Sequence, residues 1–246
     1  MSTILITGAA SGLGLAFLEH YSSSTPRPRI LALDITPLPN SVSSLPNVSF
    51  YLIDVSSEAS LGQLCSNLKE GHIDLVIHSA GIRGLVPEVV QEKRGDVAAT
   101  ETYEVMTKTT MMKTFEINTW GTFSLIRALL PNLRPSGVHT KSTTSKVVIL
   151  SSRMGSISSN VDGGGYAYRA SKVALNAVVK SFAIDVPDVV FLLLHPGRVE
   201  TGLVEWKEEG AISPEDSVRD CVNVIETAGR ESGGVLLDRW GDVIEW

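Results

Sequence analysis

The stretch TILITGAASGLGLAF, residues 3–17, decides the fold of this chain. Its aliphatic start, residues 3–7, predicts a buried strand, and the apolar residues after Gly12 predict a helix. The glycines between them permit a tight turn and let a pyrophosphate approach backbone N–H groups at the helix N-terminus. This order therefore predicts a dinucleotide-binding turn formed by Gly8, Ser11, Gly12, Leu13 and Gly14.

Further apolar runs continue the pattern along the chain. They are RILALD (29–34), SFYLID (49–54), IDLVIH (73–78), KVVILSS (146–152) and DVVFLLLH (188–195). Each run predicts a strand buried on both faces. Stretches of helical length lie between most of them, the longest being MMKTFEINTWGTFSLIRALLPNL (111–133), whereas the Ser/Pro-rich connection at 36–47 lacks a full helix. The alternation predicts an α/β protein, a single Rossmann domain over 1–246 with a doubly wound parallel sheet of about seven strands flanked by helices.

The composition argues against several classes of protein. Of the 246 residues, 43% are hydrophobic and 20% charged, which suits a globular core rather than disorder. The net charge of −6, without a dense Lys/Arg block, argues against nucleic-acid binding. Cys65 and Cys221 form no CxxC pattern, so we expect no disulfide framework and no metal site. The longest apolar run, 189–194, is too short to cross a bilayer, and no signal-like segment precedes the first strand. We expect a soluble cytoplasmic protein without a membrane partner.

Acidic residues follow the second and third predicted strands. Asp34 lies 20 residues after Gly14, where it could accept hydrogen bonds from the ribose hydroxyls of NAD and repel a 2′-phosphate. No Arg follows it, so NAD is the preferred cofactor and NADP a possible one; a solvent-facing Asp is the alternative. Asp54 and Val55 are expected at the adenine edge, with a strand-capping role for Asp54 as the alternative.

Tyr168 and Lys172 stand one helical turn apart within residues 166–182. A cation one turn away favours phenolate, so the spacing predicts a phenol whose pKa is lowered towards neutrality and that works as a general acid or base. Alone, a YxxxK spacing is more often an exposed helical pair. Its position downstream of a nucleotide loop favours the catalytic interpretation.

Together these motifs resemble those of the short-chain dehydrogenases/reductases, over essentially the whole chain. Residues 7–14 match TGxxxGxG, Tyr168 and Lys172 match YxxxK, and residues 196–201 match the PG motif that follows the sixth strand. Within the family, DGGGYAYRASKVALN, LHPGRVET, ISPEDSV and the terminal Trp246 look like the C-factor and sniffer type of carbonyl reductase.

The resemblance implies a catalytic set of Ser152, Tyr168, Lys172 and Asn118. Ser152 would hydrogen-bond the substrate oxygen, and Ser151 is a weaker contender because the serine-to-tyrosine gap is longer than the family usually has. Asn118 would kink a central helix and hold a water in a proton relay, although a mid-helix Asn is more often solvated or bonded to another helix. Lys172 would also hold the nicotinamide ribose.

The resemblance also implies further cofactor contacts. Close to the adenine ribose or the nicotinamide carboxamide we expect Ala80, Gly81, Pro196, Gly197, Val199 and Thr201, besides Tyr168 and Lys172. His78 replaces an Asn usual in the family, and we interpret it as a hydrogen-bonded core histidine. His195 is likewise given a structural role.

These features predict an NAD(P)-dependent oxidoreductase, either a carbonyl reductase or an alcohol dehydrogenase. It would transfer a hydride between a nicotinamide cofactor and a small carbonyl or secondary alcohol substrate, with Tyr168 passing the proton. A redox-neutral isomerase, dehydratase or cyclase of the same family, or an NAD(P)-sensing regulator, is the alternative.

Three further segments are expected to form the pocket or a subunit interface. The loop 83–102 is a candidate pocket wall, and 202–212 a short lid in which Trp206 contacts an apolar substrate or packs on the surface. By analogy with the family, the helices of Asn118 and Tyr168 form a homodimer surface. The apolar positions of the segment 123–133 would suit that surface or a core equally well.

Overall fold

Seven strands form one parallel sheet in the order β3-β2-β1-β4-β5-β6-β7. The structure, a computed structural model, describes residues 2–69, 71–134, 144–204, 206 and 209–246. The strands are β1 Thr3–Thr7, β2 Arg29–Asp34, β3 Val48–Leu52, β4 Leu75–His78, β5 Lys146–Leu150, β6 Val190–His195 and β7 Leu236–Asp238. The order reverses between β1 and β4, the point where such sheets bind ligands. The predicted single-domain Rossmann-type α/β fold is confirmed.

Helices cover both faces of this sheet. They are α1 Gly12–Ser22, α2 Asn40–Ser43, α3 Glu58–Leu68, α4 Pro87–Glu92, α5 Lys108–Phe115, α6 Thr122–Leu133, α7 Tyr166–Asp185 and α8 Pro214–Thr227. A π-helical turn, Glu116–Gly121, joins α5 directly to α6, and short 3₁₀ turns occupy Ala98–Thr100, Arg153–Gly155 and Arg230–Ser232. The one-turn α2 agrees with the expectation that the connection at 36–47 lacks a full helix.

The alternation of side chains along the strands builds one core on each face. Ile4 and Ile6 of β1 pack with α1 and α8, whereas Leu5 faces the layer that contains α3, α6 and α7. All three side chains are buried. The sheet is thereby fixed between two helical layers, and its carboxyl edge stays open for a site.

The expectation that every strand is buried on both faces is wrong for β3. This strand lies at the edge of the sheet and pairs only with β2 among the described strands. Phe50 and Leu52 are exposed, because helical cover ends before this edge. An edge strand and a central strand can share one apolar pattern, so the pattern alone did not distinguish them.

Among the described residues, no helix is both long and apolar enough to cross a bilayer. Three positions of the predicted lid, 205, 207 and 208, lie outside the described residues.

Candidate active site

A cleft of about 430 Å³ opens at the carboxyl edge of the sheet, across the switch point between β1 and β4. It brings together most of the residues that the sequence singled out. Its lining includes Gly8, Ser11, Gly12, Leu13, Asp34, Asp54, Val55, Ala80, Gly81, Ser152, Tyr168, Lys172, Pro196, Gly197, Val199 and Thr201. Gly14 and Asn118 do not line the cleft, but each contacts a residue that does, Gly8 and Ile82 respectively.

The glycine-rich turn is held too tightly for side chains. A Cβ on Gly14 would come within 2.0 Å of the Gly8 carbonyl oxygen, and one on Gly8 within 3.0 Å of the Ala80 nitrogen. Ser11 makes no side-chain capping hydrogen bond at the start of α1. The first amides of the helix are thus not capped by Ser11, which suits a pyrophosphate at a helix N-terminus. On this test the turn fits a dinucleotide.

Asp34 lies at the end of β2 and anchors the turns on either side of it. Its Oδ2 accepts from the Ala10 amide at 2.9 Å, and Oδ1 accepts from the amide and hydroxyl of Thr36 at 2.9 and 3.0 Å. A carboxylate oxygen has two lone pairs, so Oδ2 keeps one acceptor position for a hydroxyl group. The side chain is therefore oriented rather than loose at the rim of the cleft.

Asp54 follows β3 and caps the turn before α3. Its Oδ1 accepts from the amide and the hydroxyl of Ser56 at 2.8 and 2.7 Å. Val55 is buried, and a Cβ on Gly121 would come within 3.0 Å of its Cγ2. Asp54 thus fills the capping role given as its alternative, while its neighbour still forms part of the cleft wall.

The first two turns of α7 place Tyr168 and Lys172 on the cleft side, where both are almost fully buried. Lys172 Nζ lies 5.6 Å from the centre of the Tyr168 ring and donates to the Leu150 carbonyl at 2.9 Å. Ser152 follows β5 and lines the same cleft beside Tyr168. Two hydroxyls and one amine therefore converge on one wall of the cleft.

Burial changes the expected electrostatics of this group. The pKa of Tyr168 is raised, first by burial, while the Arg83 charge and the Ser152 hydrogen bond oppose the rise and Glu101 adds to it. Burial also lowers the pKa of Lys172 to about 8. The expectation that Lys172 lowers the phenol pKa is wrong in its net direction, because the helical spacing contains no information about desolvation.

Ser152 and Ser151, the two candidate serines, have different partners. The Ser151 hydroxyl donates to Asn176 Oδ1 at 2.6 Å in a buried contact. Ser152 caps the 3₁₀ turn after β5 by accepting from the Met154 amide at 3.1 Å, besides its contact with Tyr168. The geometry favours Ser152 as the serine beside the tyrosine.

A left-handed glycine turn occupies the extra length between Ser152 and Tyr168. Gly163, Gly164 and Gly165 all have positive φ, and a Cβ on Gly165 would come within 2.7 Å of Met154 Cε. The Arg169 side chain donates back to the carbonyls of Gly163 and Gly164. These bonds stabilise the entry to α7, which begins two residues before Tyr168.

Asn118 lies in the π-helical turn between α5 and α6, and its side chain makes three hydrogen bonds. Its Oδ1 accepts from the Ile82 amide at 2.8 Å, and its Nδ2 donates to the Ile82 carbonyl and the Ser171 hydroxyl. A Cβ on Gly81 would come within 3.1 Å of Asn118 Oδ1. Asn118 therefore joins the segment after β4 to α7. π-helical turns are frequent at functional sites.

His78 connects the glycine turn to this π-helical turn. Its Nδ1 lies 2.8 Å from the Thr7 hydroxyl, and its Nε2 lies 2.8 Å from the Thr122 hydroxyl. Thr7 accepts from the amides of Ser79 and Ala80, so its proton goes to Nδ1. Nε2–H then donates to Thr122, which donates to the Asn118 carbonyl at 2.7 Å. Burial lowers the pKa of His78 to about 3, and the predicted hydrogen-bonded core histidine is the one observed.

The loop 83–102 reaches the site through a charged pair that sequence reasoning missed. Arg83 and Glu101 form a bidentate ion pair at 2.8 and 2.9 Å, and both side chains are largely buried. The guanidinium carbon of Arg83 lies 4.9 Å from the centre of the Tyr168 ring. From the sequence alone, the two opposite charges of this loop do not predict a contact with Tyr168, because only the fold brings these segments together. The loop therefore packs against Tyr168 through Arg83, but none of its residues lines the main cleft.

Two other aromatic residues differ from expectation. His195, to which we gave a structural role, lines the cleft, and its Nδ1 is buried without a hydrogen-bond partner among the described residues. Trp206 lines a separate cavity with Leu15 and Ala16 of α1 rather than the main cleft. Of the two roles expected for Trp206, the structure therefore favours packing against α1 over contact with a substrate in the main cleft.

Comparisons with known proteins agree with this geometry. A sequence model of the family described as short chain dehydrogenase matches residues 2–211. The C-signal protein of Myxococcus xanthus is 35% identical over 183 residues, covering 74% of this chain and 97% of that protein.

Solved structures extend the likeness to the whole chain. The carbonyl reductase Sniffer of D. melanogaster has a TM-score of 0.79 at 25% identity, with both chains fully covered. An NADPH-bound carbonyl reductase from chicken fatty liver has a TM-score of 0.82 at 24% identity, covering 100% of this chain and 99% of its own. With its glycine turn, its Tyr168 and Lys172 pair and these matches, the chain belongs to the short-chain dehydrogenase/reductase family and is of the sniffer and C-signal type.

Proposed function

We propose that the protein is an NAD(P)-dependent oxidoreductase that interconverts a carbonyl compound and a secondary alcohol. The observation that carries the proposal is the convergence of Tyr168, Ser152 and Lys172 in the same cleft as a turn that fits a dinucleotide. When bound, the nicotinamide would supply or accept the hydride at the substrate carbon. The remaining work of positioning and proton transfer belongs to the side chains.

Tyr168 is the proton donor and acceptor in this proposal. Its raised pKa keeps the hydroxyl protonated at neutral pH, which suits donation to the oxygen of a carbonyl that is being reduced. Ser152 would hydrogen-bond the same oxygen, because its side chain lines the cleft together with Tyr168. Both groups are preorganised by burial and need little rearrangement.

Lys172 holds a positive charge on the cleft side of α7. The Leu150 carbonyl accepts one of its three protons, so two donors are left for ribose hydroxyls. Gly81 leaves room beside it, because a Cβ there would lie 3.9 Å from Nζ. Asn118 supports this wall through its three hydrogen bonds, as a positioning residue.

NAD is the cofactor we propose, with NADP as the alternative. The support is the carboxylate of Asp34, oriented by Ala10 and Thr36 at the rim of the cleft, where it would repel a 2′-phosphate. Against it stands the chicken carbonyl reductase, a similar fold that binds NADPH. Affinity measurements for the two cofactors decide between them.

Carbonyl reduction is the direction we propose, since both solved structures described above are carbonyl reductases. The rival functions are a redox-neutral reaction and dinucleotide sensing. A screen of ketones, aldehydes and secondary alcohols with NADH, NADPH and their oxidised forms separates them by absorbance at the reduced nicotinamide band. A stoichiometric change supports the proposal; a flat absorbance with conversion of substrate favours a redox-neutral enzyme, and no conversion at all favours a sensor.

We also propose a homodimer in the cytoplasm. The apolar side chains of α6 that could have formed its surface, Leu125, Ile126 and Leu129, pack in the core instead. Met112, Trp120 and Ile184 are exposed on the neighbouring helical segments and would form the dimer surface. Cys65 and Cys221 are free thiols, as a reducing compartment allows. Light scattering coupled to size exclusion tests the dimer.

A further inference from the structure

A smaller cavity of about 200 Å³ lies beside the cleft, at the carboxyl ends of β5, β6 and β7. His195 and Gly197 line both cavities, so the two spaces share a wall. Arg153, which directly follows Ser152, lines the smaller one. The smaller cavity is therefore next to the part of the cleft where we propose that the chemistry takes place.

The lining of this cavity is strongly basic. Arg153, Arg198 and Arg239 face a single lining carboxylate, that of Asp238. Three guanidinium groups against one carboxylate give a formal charge of +2, in a chain whose net charge is −6. Such a local reversal of charge attracts an anion.

Arg239 has the strongest need of an acceptor. Its side chain is 17% exposed, and its Nε lies 3.5 Å from Asp220 Oδ2, beyond a good N–H···O hydrogen bond. Among the described residues, no hydrogen bond joins its guanidinium to an acceptor. Trp240 covers it, with the guanidinium carbon 4.2 Å from the ring centre. Arg239 is thus a largely buried fork of five donors whose charge is balanced by Asp220 at ion-pair distance, while its N–H groups keep donor positions that a ligand could fill.

The other polar groups do not remove this need. Asp238 Oδ1 accepts from the amides of Trp240 and Asp242, and its Oδ2 lies 3.6 Å from Arg153 Nη2. Arg198 donates one bond, from Nη1 to the Glu209 carbonyl. The carboxylate that lines the cavity, that of Asp238, is thus shared between Arg153 and the backbone.

Arg239 also lies directly against the cofactor cleft. A Cβ on Gly197 would come within 3.5 Å of Arg239 Cδ and 3.7 Å of its Nη1. Arg239 therefore lies within van der Waals distance of the Gly197 position, in the wall that separates the cavities. His195 and Gly197, which line both cavities, form the boundary that a substrate would cross between Tyr168 and this guanidinium.

We infer that this cavity is an anion subsite for the substrate, so that the enzyme takes carbonyl compounds that carry a carboxylate or another compact anion. Arg239 binds the anion as a bidentate fork, and Arg153 adds a second positive charge from the Ser152 side. The statement about substrates rests on the proposed function. Anion binding itself does not require turnover and is tested separately.

The binding test uses benzoate as the probe and calorimetric titration of the full chain. We expect benzoate to bind the wild type and to bind Arg239→Met at least tenfold more weakly. Arg219→Met is the matched control, because Arg219 is 69% exposed and pairs with Asp216 outside the cavity; its affinity should stay within twofold. No binding to the wild type, or equal affinity in wild type and Arg239→Met, overturns the subsite. Should Arg239→Met fail to fold, Arg153→Met, at a half-exposed position, replaces it in the titration. This variant should also bind benzoate at least tenfold more weakly than the wild type, and equal affinity overturns the subsite.

The substrate test compares 4-acetylbenzoate with its methyl ester, using the enzyme with reduced cofactor. We expect the wild type to favour the acid at least tenfold in kcat/KM, and Arg239→Met to reduce that ratio at least tenfold. Equal kcat/KM values for acid and ester in the wild type overturn the substrate class. Failure to oxidise the cofactor with any carbonyl compound contradicts the proposed function instead, and the benzoate titration then decides the subsite alone.

Discussion

Replacing His78 by Asn should remove a large part of the acid sensitivity of the fold. In the folded chain the His78 pKa is about 3, against an ordinary value of 6.5, because burial disfavours the imidazolium. Between these two values the unfolded chain binds a proton that the folded chain does not. Stability therefore falls as the pH drops below about 6.5, and it is complete above that value.

The size of the effect follows from these two values. At pH 5 the folded histidine is neutral and the unfolded one mostly charged, so the wild type should lose about 2 kcal/mol between pH 7 and pH 5 through His78 alone. The result depends little on the folded value, which lies well below 5. Burial lowers the pKa of His195 to about 4, and that contribution cancels between wild type and variant.

Urea unfolding at pH 7, 6 and 5 measures this difference. Asn is the residue that the family usually has at this position, so the variant is the mildest one available. We expect the stability gap between wild type and His78→Asn to change by about 2 kcal/mol between pH 7 and pH 5. His20→Asn, on an exposed position of α1, is the control and should follow the wild type. Parallel pH profiles for wild type and His78→Asn would refute the buried neutral histidine.

Three further predictions concern the cleft. Gly14→Ala should destabilise the fold by about 2 kcal/mol, because its Cβ meets the Gly8 carbonyl, and should weaken dinucleotide binding at least tenfold in fluorescence titration. Gly62→Ala on α3 is the control, because its Cβ meets nothing within 4 Å. This variant should stabilise the fold by about 0.5–1 kcal/mol in thermal unfolding. Asp34→Ala should lower the ratio of NADH to NADPH affinity at least tenfold; a wild type that favours NADPH would contradict the role of Asp34. In pH profiles of kcat/KM for reduction, Arg83→Met should move the alkaline limb to higher pH and Glu101→Gln to lower pH, because the two charges shift the Tyr168 pKa in opposite directions; shifts of the same sign would count against electrostatic control.

The local patterns of the sequence were enough to predict the order in which strands and helices follow one another along the chain. β1 and β2 begin and end where their apolar runs do, and the glycine turn lies between β1 and α1 as predicted. The seventh strand, Leu236–Asp238, has only three residues, so no periodic signal could locate it. The exposure of β3 depends on strand order, which is a property of the whole sheet.

The site was predictable where a motif defined it and unpredictable where distant segments meet. The spacing of Tyr168 and Lys172 indicated that they share a helix face, but the raised pKa of Tyr168 comes from burial and from Glu101, against the opposing charge of Arg83. His78 was placed in the core correctly, yet its bond to Thr122 joins residues 44 positions apart. The basic cavity around Arg239 likewise assembles three strand ends that no linear pattern connects.

The most direct test of the proposed chemistry is the turnover of Tyr168→Phe beside that of Tyr166→Phe. Both tyrosines lie in the first turn of α7, but Tyr166 is 42% exposed and does not line the cleft. Using the best carbonyl substrate of the screen, we expect Tyr168→Phe to lose at least about a hundredfold in kcat while its dinucleotide affinity stays within twofold of the wild type. Tyr166→Phe should keep the turnover of the wild type. Turnover at the wild-type rate in Tyr168→Phe would contradict the role of Tyr168 as the proton donor.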